Sequence, residues 1–358
     1  MIIVKTEDIS SAIKQAKIMI RPGTLVLENS LRFSAKKDKL YIRTNSGGVK
    51  FITKIPCTCD REVDFMVNAH LISSTLPFFP SEFLEILPDT KKETILFKSK
   101  ELQVEIKTIP LAVWSSYKTR SVWNIDISVE AETLVSLVDR TAYASDTKDS
   151  TDNRAMLNFS VISDGQGLKV TGLDTYRFAI CATKNKINAP IEKSFTIPAK
   201  TLKMILPYLK GTVHLKKYGN EYAISTEIMA LYGHTPAVDF YDISNFLKKY
   251  PEASVVIDKD CFLRYCKVAA IANKTKIFIN IQEDYLEISA SGNGGKVENK
   301  IKTKSRVKAT YCVNPLFIMD VLKKCPEKKI KMYYSRYSIK PLFFKGDDHI
   351  DMIMPIQN

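Results

Sequence analysis

The chain has 358 residues, of which 45% are hydrophobic and 26% are charged, and its formal net charge is +14. This composition is typical of a globular protein and excludes a disordered one, and the length favours two or three domains over a single core. No run of about 18 apolar residues occurs, which excludes a membrane-spanning helix of ordinary length. The first residues turn acidic too early for a secretion signal, so we expect a cytoplasmic protein.

The seven cysteines are an odd number and show no metal-site spacing. Cys57 and Cys59 form a close pair, with no histidine or second cysteine pair nearby. Structural zinc sites need four ligands in paired groups. We therefore expect reduced thiols, no metal and no cofactor.

The positive charge is distributed over the chain rather than held in a basic tail. Residues 1–120 carry a net charge of +6, residues 121–245 carry −1, and residues 246–358 carry +9. A broad basic surface on folded segments favours an anionic partner, with nucleic acid first. Solubility alone is the simpler alternative.

Six segments predict short amphipathic helices, each entered from a short strand. In chain order they are VKTEDISSAIKQAK from Val4, FMVNAHLISSTLPFF from Phe65, VEAETLVSLVDRTA from Val129, FTIPAKTLKMILPYL from Phe195, IDKDCFLRYCKVAA from Ile257 and YCVNPLFIMDVLKKC from Tyr311. They form two interleaved sets that recur at spacings of 116 to 130 residues. The chain therefore contains a threefold internal repeat.

Between the helices the pattern alternates as in half-buried strands, for example KLYIRT from Lys39 and YLEISAS from Tyr285. This predicts an α+β fold in which an antiparallel sheet and two helices make each domain. The repeat places the three domains at residues 1–120, 121–245 and 246–358.

The polar faces of the predicted helices carry cations, namely Lys14, Lys200, Lys203, Arg264 and Lys267. On equivalent helices of a repeated unit, these side chains would line one surface. They would meet DNA phosphates without reading bases. A solvated helix face is the simpler alternative.

No enzyme signature is present. The glycine-rich stretch at residues 291–300 lacks the spacing of a phosphate loop and predicts a hairpin turn. The histidines, His70, His214, His234 and His349, are scattered through the chain. We therefore predict that the protein is not an enzyme, and an enzyme with a dispersed active site is the remote alternative.

The most specific motif lies within NRAMLNFSVISDGQGLKVTGLDTYRFAI, residues 153–180. Its part from Leu173 keeps Asp174, Arg177 and Ala179 of a Thr-Asp-Gly-His-Arg-Leu-Ala signature. The segment RPGTLVLENSL from Arg21 is similar to an Arg-Pro-Thr-x-Pro-Ile-Leu stretch. The ending MIMPIQN is similar to a closing apolar-Met-Pro-Met-Arg. In these motifs, and in its repeat, the whole chain resembles the bacterial DNA polymerase III beta sliding clamp.

The resemblance implies three tandem DNA-clamp domains in each chain and a ring of two chains around double-stranded DNA. Such a homodimer does not catalyse; it tethers the replicative DNA polymerase, and it binds the clamp loader, through short apolar peptide motifs. The alternative is a non-ring, sequence-independent nucleic-acid-binding scaffold.

The resemblance also implies a peptide pocket between the second and third domains. The matching positions are Leu157, Leu173, Asp174, Tyr176, Arg177, Phe178, Tyr241, Asn245, Phe246, Met352, Ile353, Met354, Pro355 and Ile356. Departures from the family pattern, which bear on peptide preference, occur at Thr175, Tyr176, Tyr241, Asn245 and Gln357.

Further positions follow from the same resemblance. Arg21, Arg154 and Lys274 match loops that would lie near the duplex. Val104 and Ile106 would lie on an edge strand at the dimer interface, and Ile271 is the matching candidate on the third domain. An edge strand with alternating apolar residues needs covering, which the partner subunit would provide.

Overall fold

The computed structural model describes residues 1–20, 25–114, 120–145, 153–162, 167–183, 194–236, 239–248, 251 and 253–357. Within these residues the chain has the predicted α+β composition, and its strands pair antiparallel. The helices are α1 Thr6–Ile18, α2 Ala69–Thr75, α3 Ala131–Thr141, α4 Ala199–Ile205, α5 Ser244–Lys248, α6 Lys259–Ala272 and α7 Pro315–Lys324. All six predicted helices are therefore present, and α5 is an additional one.

The strands are short, as the alternating pattern predicts. They are β1 Ile2–Lys5, β2 Ser30–Lys36, β3 Lys39–Ser46, β4 Val49–Pro56, β5 Thr58–Cys59, β6 Val63–Asn68, β7 Phe83–Asp89, β8 Thr94–Lys98, β9 Gln103–Lys107, β10 Ile125–Glu130, β11 Met156–Ile162, β12 Gly167–Leu173, β13 Arg177–Ala182, β14 Ser194–Pro198, β15 Thr212–Tyr218, β16 Glu221–Ser225, β17 Met229–His234, β18 Ala253–Asp258, β19 Ile277–Ile281, β20 Tyr285–Gly292, β21 Gly295–Lys302, β22 Ala309–Val313, β23 Lys329–Tyr334, β24 Leu342–Lys345 and β25 His349–Ile353.

The first of two compact units lies in Met1–Glu132 and Met204–Thr235. It holds a five-stranded sheet of order β5-β1-β7-β8-β9 and an eight-stranded sheet of order β10-β15-β16-β17-β4-β3-β2-β6. Helix α1 packs against β3, β4 and α2. The pairing of β17 with β4 makes one continuous sheet from segments on both sides of residue 120.

The second unit lies in Thr133–Ile187, Ile191–Lys203 and Pro236–Asn358. Its eight-stranded sheet has the order β14-β11-β12-β13-β25-β24-β23-β18, and its four-stranded sheet has the order β21-β20-β19-β22. Helices α6 and α7 pack together, and α6 also contacts β20 and β21. The C-terminal strand β25 lies in the middle of the larger sheet, which ties the end of the chain down.

Local signals in the sequence explain where the helices begin. The side chains of Asn68, Asp258 and Asn314 accept hydrogen bonds from backbone N–H groups in the first turns of α2, α6 and α7, so each acts as an N-cap. Pro315 occupies the first position of α7, where its missing N–H costs little.

The predicted hairpin in the glycine-rich stretch is confirmed. Gly292 pairs with Gly295 at the ends of β20 and β21, and Asn293 and Gly294 form the connecting turn. Gly295 has a φ of +138°, a backbone conformation that favours glycine. Among the described residues, no helix is long and apolar enough to span a membrane.

Candidate functional site

The candidate site is an apolar cluster with a cavity beside it, on one face of the eight-stranded sheet of the second unit. Phe178 on β13 pairs with Leu173 on β12 and with Met352 on β25. Residues directly opposite each other on antiparallel strands point to the same face. The three side chains therefore lie side by side on one face of the sheet.

These three side chains belong to a small buried cluster, which we call the cleft cluster. Its buried members are Leu173, Phe178, Ile180, Phe343 and Met352, and its partly buried members are Phe240, Ile243, Leu247, Tyr333, Ile350 and Met354. The rings of Phe178 and Phe343 meet edge to face, with centroids 6.2 Å apart. Because six of its eleven members are only partly buried, the cluster presents apolar surface that a ligand can cover.

A cavity of about 390 Å³ continues the cleft along the same sheet face. It is lined by Asn158, Lys169, Thr171, Ser194, Asp239, Phe240, Tyr241, Asp242, Ile243, Ser244 and Leu247. Lys169, Thr171 and Leu173 alternate along β12, so the cavity and the cleft cluster share one face. The cavity is more polar than the cleft cluster, and Lys169 is one of its lining residues.

Three of the predicted pocket residues lie on the opposite face of this sheet. Leu157 pairs with Gly172 rather than Leu173, and Arg177 pairs with Ile353. Leu157 and Ile353 are fully buried, and Ile353 belongs to the larger core that includes α6 and α7. The physical reason is strand alternation, which sends successive side chains of a continuous motif to opposite faces.

Asp174 and Arg177 form a tight turn between β12 and β13. The Asp174 carboxylate accepts hydrogen bonds from the backbone N–H groups of Tyr176 and Arg177, at 2.8 and 2.9 Å. The Asp174 N–H donates to the Arg177 carbonyl at 3.0 Å. This turn fixes the backbone at the rim of the cleft.

The guanidinium of Arg177 is turned into the protein, away from the cleft. It donates to Asp174 at 3.0 Å, to Asp320 at 2.8 Å and to the Tyr143 carbonyl at 2.8 Å. It also lies 4.3 Å from the ring centroid of Phe317. With its donors engaged in this way, Arg177 supports the cleft from behind rather than contacting a ligand.

The other predicted pocket residues lie at the rim. Tyr176 is 59% exposed and stacks on Phe317, with ring centroids 6.3 Å apart. Tyr241 and Asn245 are exposed, and Phe246 approaches Phe178 edge to face at 6.3 Å. Aromatic side chains in such positions supply contact area at little entropic cost on binding.

The C-terminal residues that follow β25 are held by backbone hydrogen bonds. The Met354 N–H donates to the Tyr176 carbonyl at 2.8 Å, and the Ile356 N–H donates to the Cys312 carbonyl at 2.8 Å. Pro355 is buried, whereas Ile356 and Gln357 are exposed. Met354 thus joins the cleft cluster, while Pro355 and Ile356 run on towards β22.

The cleft cluster also contains four residues that no sequence motif had indicated, namely Phe240, Ile243, Leu247 and Phe343. A signal for three of them was available. Phe240, Ile243 and Leu247 recur at intervals of three and four, the spacing of one helical face. In the structure only Leu247 of the three lies in a helix, α5, but all three pack against the cleft cluster. Tyr241 and Asn245, the two positions that the family pattern had indicated, are exposed.

The predicted DNA-facing residues are mostly exposed. Lys14 on α1, Lys200 on α4, Arg264 and Lys267 on α6, and Lys274 just beyond α6 lie at the surface. Arg154 is half-buried and donates to the Thr175 hydroxyl at 3.2 Å. Arg21 lies outside the described residues.

Lys203 differs from the other helix-face lysines. Its ammonium donates to the Ala142 carbonyl at 2.8 Å. Burial, followed by the charges of Arg177 and Lys324, lowers the pKa of Lys203. Because the ammonium is bonded to the backbone, Lys203 links α4 to the residues after α3.

The predicted edge strand is confirmed. Strand β9, which carries Val104 and Ile106, lies at the edge of the five-stranded sheet. Ile106 is buried and Val104 is half-buried, so their side chains face the unit's own core. Ile271 near the end of α6 is 82% exposed, unusual for a residue of this kind.

The sequence matches no protein-family model and no curated protein. The structure, in contrast, is similar to several solved ones. The DNA polymerase III beta subunit of Thermotoga maritima superposes with a TM-score of 0.90 at 18% identity, covering 100% of this chain and 99% of that one. The subunit from Pseudomonas aeruginosa gives a TM-score of 0.92 at 16% identity, covering 100% of both chains. The beta subunit from the DNA polymerase of Streptococcus pyogenes gives 0.91 at 14% identity, again covering 100% of both chains. Over its full length, the chain has the fold of the DNA polymerase III beta sliding clamps.

Proposed function

We propose that the protein is a DNA sliding clamp, a non-catalytic processivity factor. The observation that carries this proposal is the agreement of the whole chain with sliding-clamp structures, at TM-scores of about 0.9. In this account residues 1–120, 121–245 and 246–358 form three clamp domains. Two cytoplasmic copies form a closed ring around duplex DNA.

The charge of the chain supports the DNA-binding part of the proposal. The net charge is +14, and exposed cations lie on helices of both units. Contacts from lysine and arginine to phosphates hold DNA without reading its sequence. Weak contacts of this kind permit sliding, while the closed ring prevents dissociation.

The cleft cluster supports the tethering part. It offers partly buried apolar side chains beside a cavity of about 390 Å³, with exposed aromatic rings at the rim. Such a groove suits a short peptide with apolar anchors. We infer that this groove binds peptide motifs of the replicative polymerase and the clamp loader.

Assembly is tested by light scattering coupled to gel filtration at micromolar concentration. A dimer has twice the 40.6 kDa mass of the chain. A strict monomer would contradict the ring, and binding to linear DNA by a monomer would favour the non-ring scaffold instead. Peptide tethering is tested separately by titrating a fluorescent apolar clamp-binding peptide, with saturable binding expected.

A further inference from the structure

A buried cysteine, a partly buried glutamate and a buried histidine meet in the second unit, on the face of the eight-stranded sheet opposite the cleft. Cys325 follows α7, Glu327 lies just before β23, and His349 begins β25. One ligand atom from each lies within 4.8 Å of the other two. Cys325 and His349 are only 4% and 7% exposed. The fold alone brings them together, because His349 is more than 20 residues from the other two in sequence.

The spacing of these atoms fits a small tetrahedral cation. Cys325 Sγ lies 2.9 Å from Glu327 Oε2, and His349 Nδ1 lies 3.7 Å from Glu327 Oε1. Ligand atoms bound to zinc at about 2.0–2.3 Å lie roughly 3.3–3.8 Å from one another in tetrahedral geometry. Small side-chain rotations therefore bring the three atoms around a common centre.

We propose that Cys325, Glu327 and His349 bind a divalent cation of the zinc class through thiolate sulfur, carboxylate oxygen and imidazole Nδ1. Sulfur, nitrogen and oxygen donors together favour zinc over magnesium or calcium, which prefer oxygen alone. One thiolate and one carboxylate balance the two positive charges of the ion. The ion and its three ligands are therefore neutral together, which burial favours. Asp348 Oδ1, 3.4 Å from His349 Nδ1, already has its counter-charge in Arg140.

His349 supplies the independent observation. Its Nε2 atom is buried, and the described residues offer it no hydrogen-bond partner. The nearest carboxylate oxygen across from it, Asp351 Oδ2, is 3.6 Å away. A histidine that binds a metal through one nitrogen commonly donates its other N–H to a carboxylate. A cation at Nδ1 would place the proton on Nε2, facing Asp351, which also accepts a hydrogen bond from the Tyr143 hydroxyl.

Gly346 provides the room that the site needs. A Cβ atom at this position would lie 2.3 Å from Glu327 Oε1 and 2.6 Å from His349 Nδ1. Any larger residue would therefore crowd two of the three ligand atoms. The Gly346 N–H donates to the His349 carbonyl at 3.1 Å, which holds the β24–β25 hairpin against the ligands.

Binding exchanges a proton for the cation. In the metal-free protein the Cys325 thiol donates to Glu327. The ion displaces that proton to water and takes the thiolate and the carboxylate as ligands. The bound cation would fasten the end of α7 to the β24–β25 hairpin and so stabilise the folded state by mass action.

The test uses full-length protein that has been stripped of metal with a chelator and titrated with Co²⁺, followed by Zn²⁺. We expect a thiolate-to-cobalt absorption band that saturates at one ion per chain and is removed by one equivalent of Zn²⁺.

Cys325→Ser should abolish the band. Gly346→Ala should weaken Co²⁺ binding at least tenfold while keeping every ligand. Cys312→Ser, a buried cysteine on β22, and the double change Cys57→Ser with Cys59→Ser serve as controls and should keep the band.

Glu327→Gln is a second ligand variant, and it should fold normally because this side chain is only partly buried. It should lower Co²⁺ affinity at least tenfold and leave the metal-free urea midpoint close to that of the parent protein. A protein that gives no thiolate band, a band that persists in Cys325→Ser, or a band that disappears with Cys57 and Cys59 would overturn the proposal.

Discussion

The guanidinium of Arg177 lies 2.8 Å from the carboxylate of Asp320, an ion pair that joins β13 to α7 inside the second unit. The next residue on the same strand, Phe178, faces the opposite side of the sheet and forms part of the cleft cluster. The charged network on one face therefore positions the apolar cleft on the other.

Replacing Arg177 with alanine should destabilise the protein. The side chain is 11% exposed, and its loss leaves Asp174 and Asp320 without their cation. We expect the free energy of unfolding to fall by about 2–3 kcal/mol. This loss is smaller than that for breaking a fully buried ion pair, because Asp320 is partly exposed. Urea unfolding measures the change.

A lysine at position 177 should recover little of that loss, because one ammonium cannot reproduce the three-way contact of a guanidinium. Arg306→Ala, at an exposed arginine of the same unit, is the control and should stay within about 0.5 kcal/mol of the parent. Equal effects of Arg177→Ala and Arg306→Ala would contradict the assigned role.

Truncating the cleft wall should weaken peptide binding. Leu247 belongs to the cleft cluster and also lines the cavity, so Leu247→Ala removes apolar contact from both. We expect the peptide Kd to rise at least tenfold, about 1.4 kcal/mol. Val256→Ala, at an exposed apolar residue on β18, should bind like the parent in the same fluorescence titration. Unchanged affinity in Leu247→Ala would remove the cleft as the peptide site.

Removing the exposed cations of α6 should reduce the salt dependence of DNA binding. Arg264 and Lys267 are three residues apart, on one face of the helix. If both contact phosphates, the double alanine variant lowers the slope of log K against log salt by about 2. Lys98→Ala with Lys100→Ala, at exposed lysines on and after β8, is the matched control. An identical slope for the parent and the α6 variant would exclude that helix from the DNA surface.

Stability should depend on pH through Lys217 of β15, whose pKa is lowered to about 8 by burial. Between pH 8 and the ordinary value near 10.5, the unfolded chain binds more protons than the folded one, so stability rises with pH across this window. Lys217→Met should raise the free energy of unfolding at pH 7 by about 1–2 kcal/mol. The gain should shrink as the pH approaches 10.

Urea unfolding at pH 7, 8.5 and 10 checks this prediction, with Lys210→Met at an exposed lysine as the control. A constant difference between Lys217→Met and the parent at all three pH values would show that the lysine does not titrate in this window.

A charge at Ile271 should disrupt the dimer without unfolding the chain. The side chain is 82% exposed, so Ile271→Asp places little new charge in the core of the single chain. We expect light scattering to show a shift towards 40.6 kDa at concentrations where the parent is a dimer. Val256→Asp changes another exposed apolar residue and should remain a dimer by light scattering, like the parent protein. If the Ile271→Asp protein remained fully dimeric, the dimer interface would have to lie elsewhere.

The fold followed from the sequence because its signals are local and repeated. Helical stripes and N-terminal caps such as Asn314 specify where helices begin, and threefold recurrence strengthens each signal. The site followed only in part. The closing motif MIMPIQN, which begins at Met352, predicts one apolar wall, yet strand alternation places Met352 in the cleft and Ile353 in the opposite core.

Contacts between residues far apart in the sequence could not be predicted from motif spacing. Arg177 meets Asp320 across more than 140 residues, and no pattern in the chain pairs them. The same holds for His349 and Cys325, which lie close together in the fold but form no recognisable motif in the sequence. Such pairs depend on strand order, here the insertion of β25 beside β13.

A closed ring is held on DNA by topology rather than by tight contacts, so the most direct measurement of the proposed function is retention on circular DNA. Dissociated subunits are allowed to reassociate in the presence of nicked circular DNA, the complex is washed at high salt, and the DNA is then linearised. A closed ring should stay on the circle through the salt wash, because it needs no tight contact to remain, and should leave when the DNA acquires ends. Equal loss from circular and linear DNA in the salt wash would contradict a ring and leave ordinary electrostatic binding.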